Sequence, residues 1–349
     1  MTDTPTSAET ASSKTPKRKG SRRGYIWLIA LVVLAVALWS AYWTVARGMA
    51  MDVLRNVTEA ARVEGGEIAC GGQRLGGFPF HLQLDCAPLS LRSPRGESAG
   101  FDAFRAVALA YNPWHVILEA ESPATVDFAP ASRLAGTWET ARASFRVGTS
   151  SIERADIELT SPDLALAVPG AGAALTAKTA SLHLRRTPQR DADADIAVSL
   201  TGVTAPGAAP LALDARAGLT LKGGAVLLSG RGADLIALLK NEEAVEVSEA
   251  RVSSGEVALA ATGTLWLDPA GFLNGALPLT IAGADKLPPL LAPYFPEGSN
   301  VPATLAGAVM GFGKPATLDG APAVTVPLSF DAGVARVGII PLGKVPPLR

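Results

Sequence analysis

The sequence predicts a mainly β protein: one N-terminal transmembrane helix, then an elongated, curled antiparallel β-sheet, a β-taco or split barrel, with a few short helices. Three observations predict it. Residues 25–46 are a single uncharged apolar run, and beyond Gly65-Gly66 apolar and polar side chains alternate with a period of two. Gly, Pro, Asn and Asp break that alternation at roughly 8–12 residue spacing, the signature of antiparallel strands joined by turns rather than of βαβ units.

The run Tyr25–Ala46, YIWLIALVVLAVALWSAYWTVA, contains no charge. At about 1.5 Å per residue it extends about 33 Å, enough to cross a hydrocarbon core of about 30 Å. Tyr25 and Trp27 open it and Trp39, Tyr42 and Trp43 close it, where amphipathic rings prefer the headgroup level. Residues 1–24 read as a disordered basic tail carrying Lys14, Lys17, Arg18, Lys19, Arg22 and Arg23 against Asp3 and Glu9. This asymmetry places the N-terminus in the cytoplasm and the remainder on the far side of the membrane. A cleavable signal peptide shares the basic start. An apolar run beyond the usual 7–15 residues, its aromatic close and the lack of a clear A-x-A site favour an uncleaved anchor.

Composition narrows the function. Charged residues make up 18%, aromatics 6%, His numbers 3 and Cys 2, which leaves few groups for acid–base, nucleophilic or metal chemistry and argues against an enzyme. Removing the tail's six basic and two acidic residues from totals of 31 and 32 leaves 25 and 30, so the exported part carries about five negative charges. It lacks the basic footprint that nucleic acid requires. No cofactor motif is present: Gly170-Ala171-Gly172 lacks the third glycine of a dinucleotide loop, and there is no Walker-type lysine, paired-Cys zinc pattern or calcium loop. His81 with Asp85 and His115 with Glu119 share strand faces but read as solvent-facing positions with no elbow-borne nucleophile nearby. His183 has no acidic neighbour.

Residues 47–64 suggest a juxtamembrane helix stopped by Gly65-Gly66, and 65–349 the β-rich domain. Cys70 and Cys86 lie 16 residues apart across a hairpin. In an oxidising compartment they favour a disulfide, the alternative being two buried thiols. Between them Gly76-Gly77-Phe78-Pro79-Phe80 forms a turn feeding a strand. Phe78 and Phe80 there either pack the hairpin or meet an acyl chain or a partner. Alternation marks strands at 80–86, 89–92, 180–185 and 245–248. Further strands are expected near 104–111, 115–120, 124–128, 141–147, 152–160, 163–168, 194–201, 211–221, 225–230, 256–267, 276–282, 304–311, 323–330 and 334–340. Residues 219–228 and 261–268 read as strand, glycine turn, strand; 233–240 and 287–295 read as short helices capping a sheet end. About eighteen strands at about 4.8 Å would unroll to about 85 Å, too wide for one flat sheet. The strand faces carry mostly Ala, Val and Leu, which either leaves an open apolar groove suited to acyl chains or lets two sheets pack closely.

The helix ending in Trp39, Tyr42 and Trp43, the cysteine pair flanking Gly77-Phe78-Pro79-Phe80 and the closing segment Val337–Pro346 together resemble the bacterial family called domain of unknown function 2125. The strand Gly263–Asp268 and the segment after it are also similar to the ends of AsmA-like envelope proteins. That likeness implies a membrane anchor, a curled sheet with an apolar groove, a role in phospholipid movement across a Gram-negative envelope, and no catalytic residues. The expectation is thus an inner-membrane-anchored periplasmic protein, not an enzyme and without a cofactor. It would bind or shield lipid acyl chains in envelope lipid homeostasis, with membrane lipids and an envelope protein as partners and no nucleic acid. The alternative is a structural or interaction protein of the envelope with a closed β core, docking by strand addition.

Overall fold

The computed structural model describes residues 22–128, 132–148, 151–169, 171–204, 212–229, 234–292, 298–338 and 340–348. Most of the basic tail, together with Gly170, Ala233 and Pro293-Tyr294-Phe295, lies outside the described residues. One unbroken helix, α1 (Arg22–Val63), contains both the apolar run and the juxtamembrane segment. It is long and apolar enough to cross a membrane. Its end is a Schellman motif: the Gly66 N–H donates to the Ala61 carbonyl and the Gly65 N–H to the Arg62 carbonyl. Gly65 supplies the left-handed residue, with φ of 86°.

Beyond α1 the described chain is mainly one antiparallel sheet, not closed into a barrel. Its first edge contains β1 (Glu67–Cys70), β2 (Arg74–Gly76), β3 (His81–Cys86) and β4 (Leu89–Arg92). β3 and β4 both pair with β5 (Ser98–Leu109), while β2 and β1 pair on their outer sides. A disulfide joins Cys70 to Cys86, with Cα atoms 5.0 Å apart, and ties β1 to the end of β3. The ladder continues from β5 to β6 (Asn112–Phe128), which pairs with both β7 (Ser132–Thr137) and β8 (Thr140–Val147). Next come β9 (Ile152–Thr160) and β10 (Asp163–Val168), then β11 (Ala171–Thr176) and β12 (Thr179–Thr187). The meander proceeds through β13 (Arg190–Val203), β14 (Leu213–Leu221), β15 (Val245–Ser254), β16 (Val257–Leu267) and β17 (Leu273–Ala282). β17 then pairs with β19 (Ala321–Asp331), whose other side is shared by β18 (Lys314–Leu318) and β20 (Val334–Val337). β21 (Ile340–Lys344) finishes that edge.

Several expected strands are halves of one bent strand. β7 runs into β8, β9 into β10 and β11 into β12, each through two residues. The path from β3 to β19 therefore crosses twelve strand positions, about 53 Å at about 4.8 Å per step, rather than the 85 Å that counting every run implies. The breaks line up. They fall at Ala87-Pro88, at Asp102 in β5, at Ser122-Pro123 in β6, at Trp138-Glu139, at Ser161-Pro162, at Ala177-Lys178 and near Gly202 in β13. Proline cannot donate to a ladder, and bulges bend a strand and increase its twist. A row of such breaks creases the sheet into a large wall and a smaller one of β4, β7, β10, β11 and the adjoining halves of β5 and β6. Hydrogen bonds bridge the crease: Glu139 N–H to Thr160 O, Ser161 N–H to Lys178 O, and the Trp138 indole N–H to Ala120 O at 2.8 Å.

Two segments expected as strands are helical. Gly224–Ser229 is a 3₁₀ turn, because β14 takes β15 as its neighbour and Ala225 and Leu228 are buried. Val301–Phe312 is α4, entered with Pro302 in its first turn and burying Pro302 and Ala306, four apart on one helical face. Alternation there was accidental, and a helix is the form that lays this apolar run on the sheet. The expected helices appear as α2 (Leu235–Leu239), capped by the Asp234 carboxylate on the Ala237 N–H, and as a 3₁₀ turn Ala284–Lys286 followed by α3 (Leu287–Leu291). Gly263 is not a turn but sits inside β16, with φ of 151° where a side chain would run into the Ala276 carbonyl. The main buried cluster joins α3 and α4 to the far end of the sheet through Val257, Ile281, Leu287, Ala306 and Val326.

Gly263→Ala should destabilise the protein by about 2 kcal/mol or more, since it adds backbone strain to a collision. Gly76→Ala, with nothing within 4 Å of the added carbon, should change stability by under about 0.5 kcal/mol; thermal unfolding of the two variants checks both. Replacing both cysteines by alanine should cost about 3 kcal/mol, the loop-entropy value for a closure of this length, measured by denaturant unfolding.

Candidate functional site

Antiparallel pairing with a period of two sorts the sheet into faces. On one face Leu84, Ala106, Leu118, Ala143, Ile157 and Leu182 lie opposite one another in successive strands. The row continues through Val198, Ala217, Ala250, Ala261, Leu279 and Val326, so one apolar line crosses twelve strands. A parallel row runs from Leu82 and Ala108 to Leu219 and Val247, and a third from Cys86 and Phe104 to Ile281 and Val324. Across the crease the same face continues as Leu89, Phe101, Ala124, Gly136, Leu164 and Leu175.

The opposite face is charged. Asp85, Arg105, Glu119, Arg142 and Glu158 alternate in sign across five strands. Arg105 meets Asp85 at 2.8 Å and Arg142 meets Glu119 at 2.9 Å. The Arg105 hydrogen bond holds the Asp85 carboxyl below the ordinary carboxylate range. Burial pushes Asp195 upward, but hydrogen bonds from Thr187, Thr220 and Arg185 outweigh it and leave its pKa lowered. Two depressions of about 380 and 450 Å³ open among these ion pairs, and Asp85, Glu119 and Asp195, which line them, already have partners.

Of the three histidines, His183 departs from expectation. Asp85 bonds Arg105 and Gln83, and Glu119 bonds Arg142; neither pairs with the histidine four residues away. His115 instead meets Ser144 at 2.8 Å. His183 does have an acidic neighbour: Asp156, directly across the strand pair, at 2.7 Å. The partner lies 27 residues away in sequence and became visible only through the register.

The apolar face is covered at its ends and half-buried between them. At the far end α3 and α4 bury Ile281 and Val326. Along one margin the Gly224–Ser229 turn packs on Ala194 and Leu221, both nearly inaccessible. In the first row every residue from Leu84 to Leu279 is half-buried except Leu182, which is exposed, whereas Val326 is fully buried. The inner positions of a closed sandwich would be buried along the whole row.

At the near end the face meets α1. The Trp39 indole N–H donates to the Pro79 carbonyl at 2.9 Å, the Tyr42 hydroxyl to the Ala110 carbonyl at 2.6 Å and the Trp43 indole N–H to the His81 carbonyl at 3.2 Å. Trp43 is buried, meeting the Phe78 ring edge-on at 5.3 Å, so it faces the hairpin rather than lipid. Trp27 and Tyr42 are exposed. Phe78 touches Trp43 yet stays 55% exposed, and Phe80 is 65% exposed, so hairpin packing accounts for only part of these two rings.

A family model described as an uncharacterized protein conserved in bacteria (DUF2125) matches residues 43–346. No curated protein and no solved structure matches the chain.

Asp85 is a depressed carboxylate, so the stability its pair contributes is present above the ordinary aspartate value near 3.9 and is lost as pH falls below it. Arg105→Ala should lower stability by under about 1 kcal/mol at pH 7, as for a partly exposed pair. The difference should begin to shrink as pH falls below about 3.9 and vanish only below the lower pKa that Asp85 has in the folded protein, in thermal unfolding.

Proposed function

The chain belongs to the DUF2125 family of bacterial proteins, and from its apolar sheet face and N-terminal helix we infer an inner-membrane-anchored periplasmic protein that binds or shields lipid acyl chains on that face. One observation carries the reading: of three apolar rows, two continuous over about 53 Å, most residues are half-buried between a near end joined to α1 and a far end roofed by helices. Small side chains such as Ala217, Ala250 and Ala261 add little bulk to that face. Burial of an acyl chain there needs no directional partner and is worth about 0.8 kcal/mol per methylene. α1 serves as a single-pass anchor with its basic start in the cytoplasm, following the positive-inside rule. The role is contribution to envelope lipid homeostasis. The AsmA-like resemblance of the Gly263–Asp268 region points the same way.

Photoreactive residues at Ala250 and at Glu249 test the two faces one position apart, in full-length protein in its native membrane. Acyl adducts should form at position 250 at least fivefold above position 249. Equal labelling at both, or protein adducts alone at 250, would overturn the reading in favour of a partner-docking sheet.

A further inference from the structure

Four large aromatic side chains project from two adjacent turns at the near end of the sheet. Phe78 and Phe80 lie in the turn before β3, and Tyr111 and Trp114 in and after the β5–β6 turn; they are 55%, 65%, 68% and 57% exposed. The turns are neighbours, since the Ala110 N–H donates to the Phe80 carbonyl. Four exposed aromatics on two joined turns form an apolar patch that a soluble surface rarely shows without a partner.

The height of this patch relative to α1 is set by hydrogen bonds. Trp39 and Tyr42 bond the carbonyls of Pro79 and Ala110 in the same two turns, and Trp43 that of His81, the first residue of β3. Those three helix residues occupy the last two turns of the apolar run, which continues to Ala46. If α1 crosses a bilayer with that run in the hydrocarbon, both turns sit level with the final turns of the span, where Trp, Tyr and Phe are favoured. Arg47, the first charge after the run, and Arg74 line a depression that also touches Gly77, at phosphate height just above. Asp85, opposite Arg74 across the strand pair, also lines this depression but is bonded to Arg105, and among the described residues neither Arg47 nor Arg74 has a carboxylate within 4.0 Å.

We propose that the Phe78–Phe80 and Tyr111–Trp114 turns insert into the headgroup layer of the same bilayer that α1 crosses, with Arg47 and Arg74 on lipid phosphates. The domain then touches the membrane at a second place beside its anchor, and the apolar rows, which start at Leu82 two residues from Phe80, begin at the leaflet surface. The proposal rests on α1 being a membrane span and is independent of whether acyl chains travel along the face.

The test uses full-length protein in phosphatidylethanolamine and phosphatidylglycerol vesicles carrying spin-labelled lipid quenchers. Single environment-sensitive dyes are placed through Phe80→Cys, Trp114→Cys, Leu34→Cys in the apolar run, and Thr317→Cys, exposed on β18. Dyes at positions 80 and 114 should be quenched at least threefold more than at 317, most strongly by shallow quenchers, while position 34 responds to deep ones. Quenching at 34 with positions 80 and 114 matching 317 would overturn the insertion alone. No quenching at 34 would overturn the span and the insertion together. Since only lipid is present, a protein occupant cannot produce the expected pattern.

Discussion

The ladder from β3 to β19 governs this protein because a period of two makes every face depend on register. A slip of one residue at any pairing would carry the next strand's Leu and Ala to the charged face and its Arg and Glu to the apolar one. The chain resists slippage through cross-strand ion pairs such as Arg105 with Asp85 and Arg142 with Glu119, each weak alone, and through short hairpins that fix the pairing from strand to strand. The close backbone approach at Gly263 in β16, where any side chain would collide with β17, pins one register sterically.

The aligned breaks give the sheet its second property. A ladder of this width, built of long strands, must curl or split. Here the breaks, five of them at a proline or a bulge, lie side by side across seven strands, so the bend is collective, and the ladder resumes beyond it with the apolar face still apolar. In the inferred function this half-covered surface is what an acyl chain meets.

The junction with α1 joins the helix and the sheet. Three side chains at the end of the apolar run donate to backbone carbonyls of the first two sheet turns and of the first residue of β3, and Gly65 reverses the chain so that β1 returns beside β4. The exposed rings of the same turns lie beside these donors, which is why their proposed contact with lipid follows from the helix position rather than from the sheet.

Much was legible locally. The apolar run, the period-two strands, the cysteine pair and the GFPF turn are statements about neighbouring residues, and helix, strands and disulfide stand where those signals lie. What the tertiary structure decided depends on partners distant in sequence. Nothing near Gly224–Ser229 or Val301–Phe312 says that a strand there would lack a neighbour; burial against Leu221 and Ile281 selects helical turns instead. His183 finds Asp156, three strands merge pairwise with three others, and twelve residues scattered from Leu84 to Val326 form one row. Sequence alone determined which residues prefer to be covered, because hydrophobicity and backbone propensity are local. Register and the crease decided which are covered and which stay half-open, because pairing and burial are made between segments far apart in the chain.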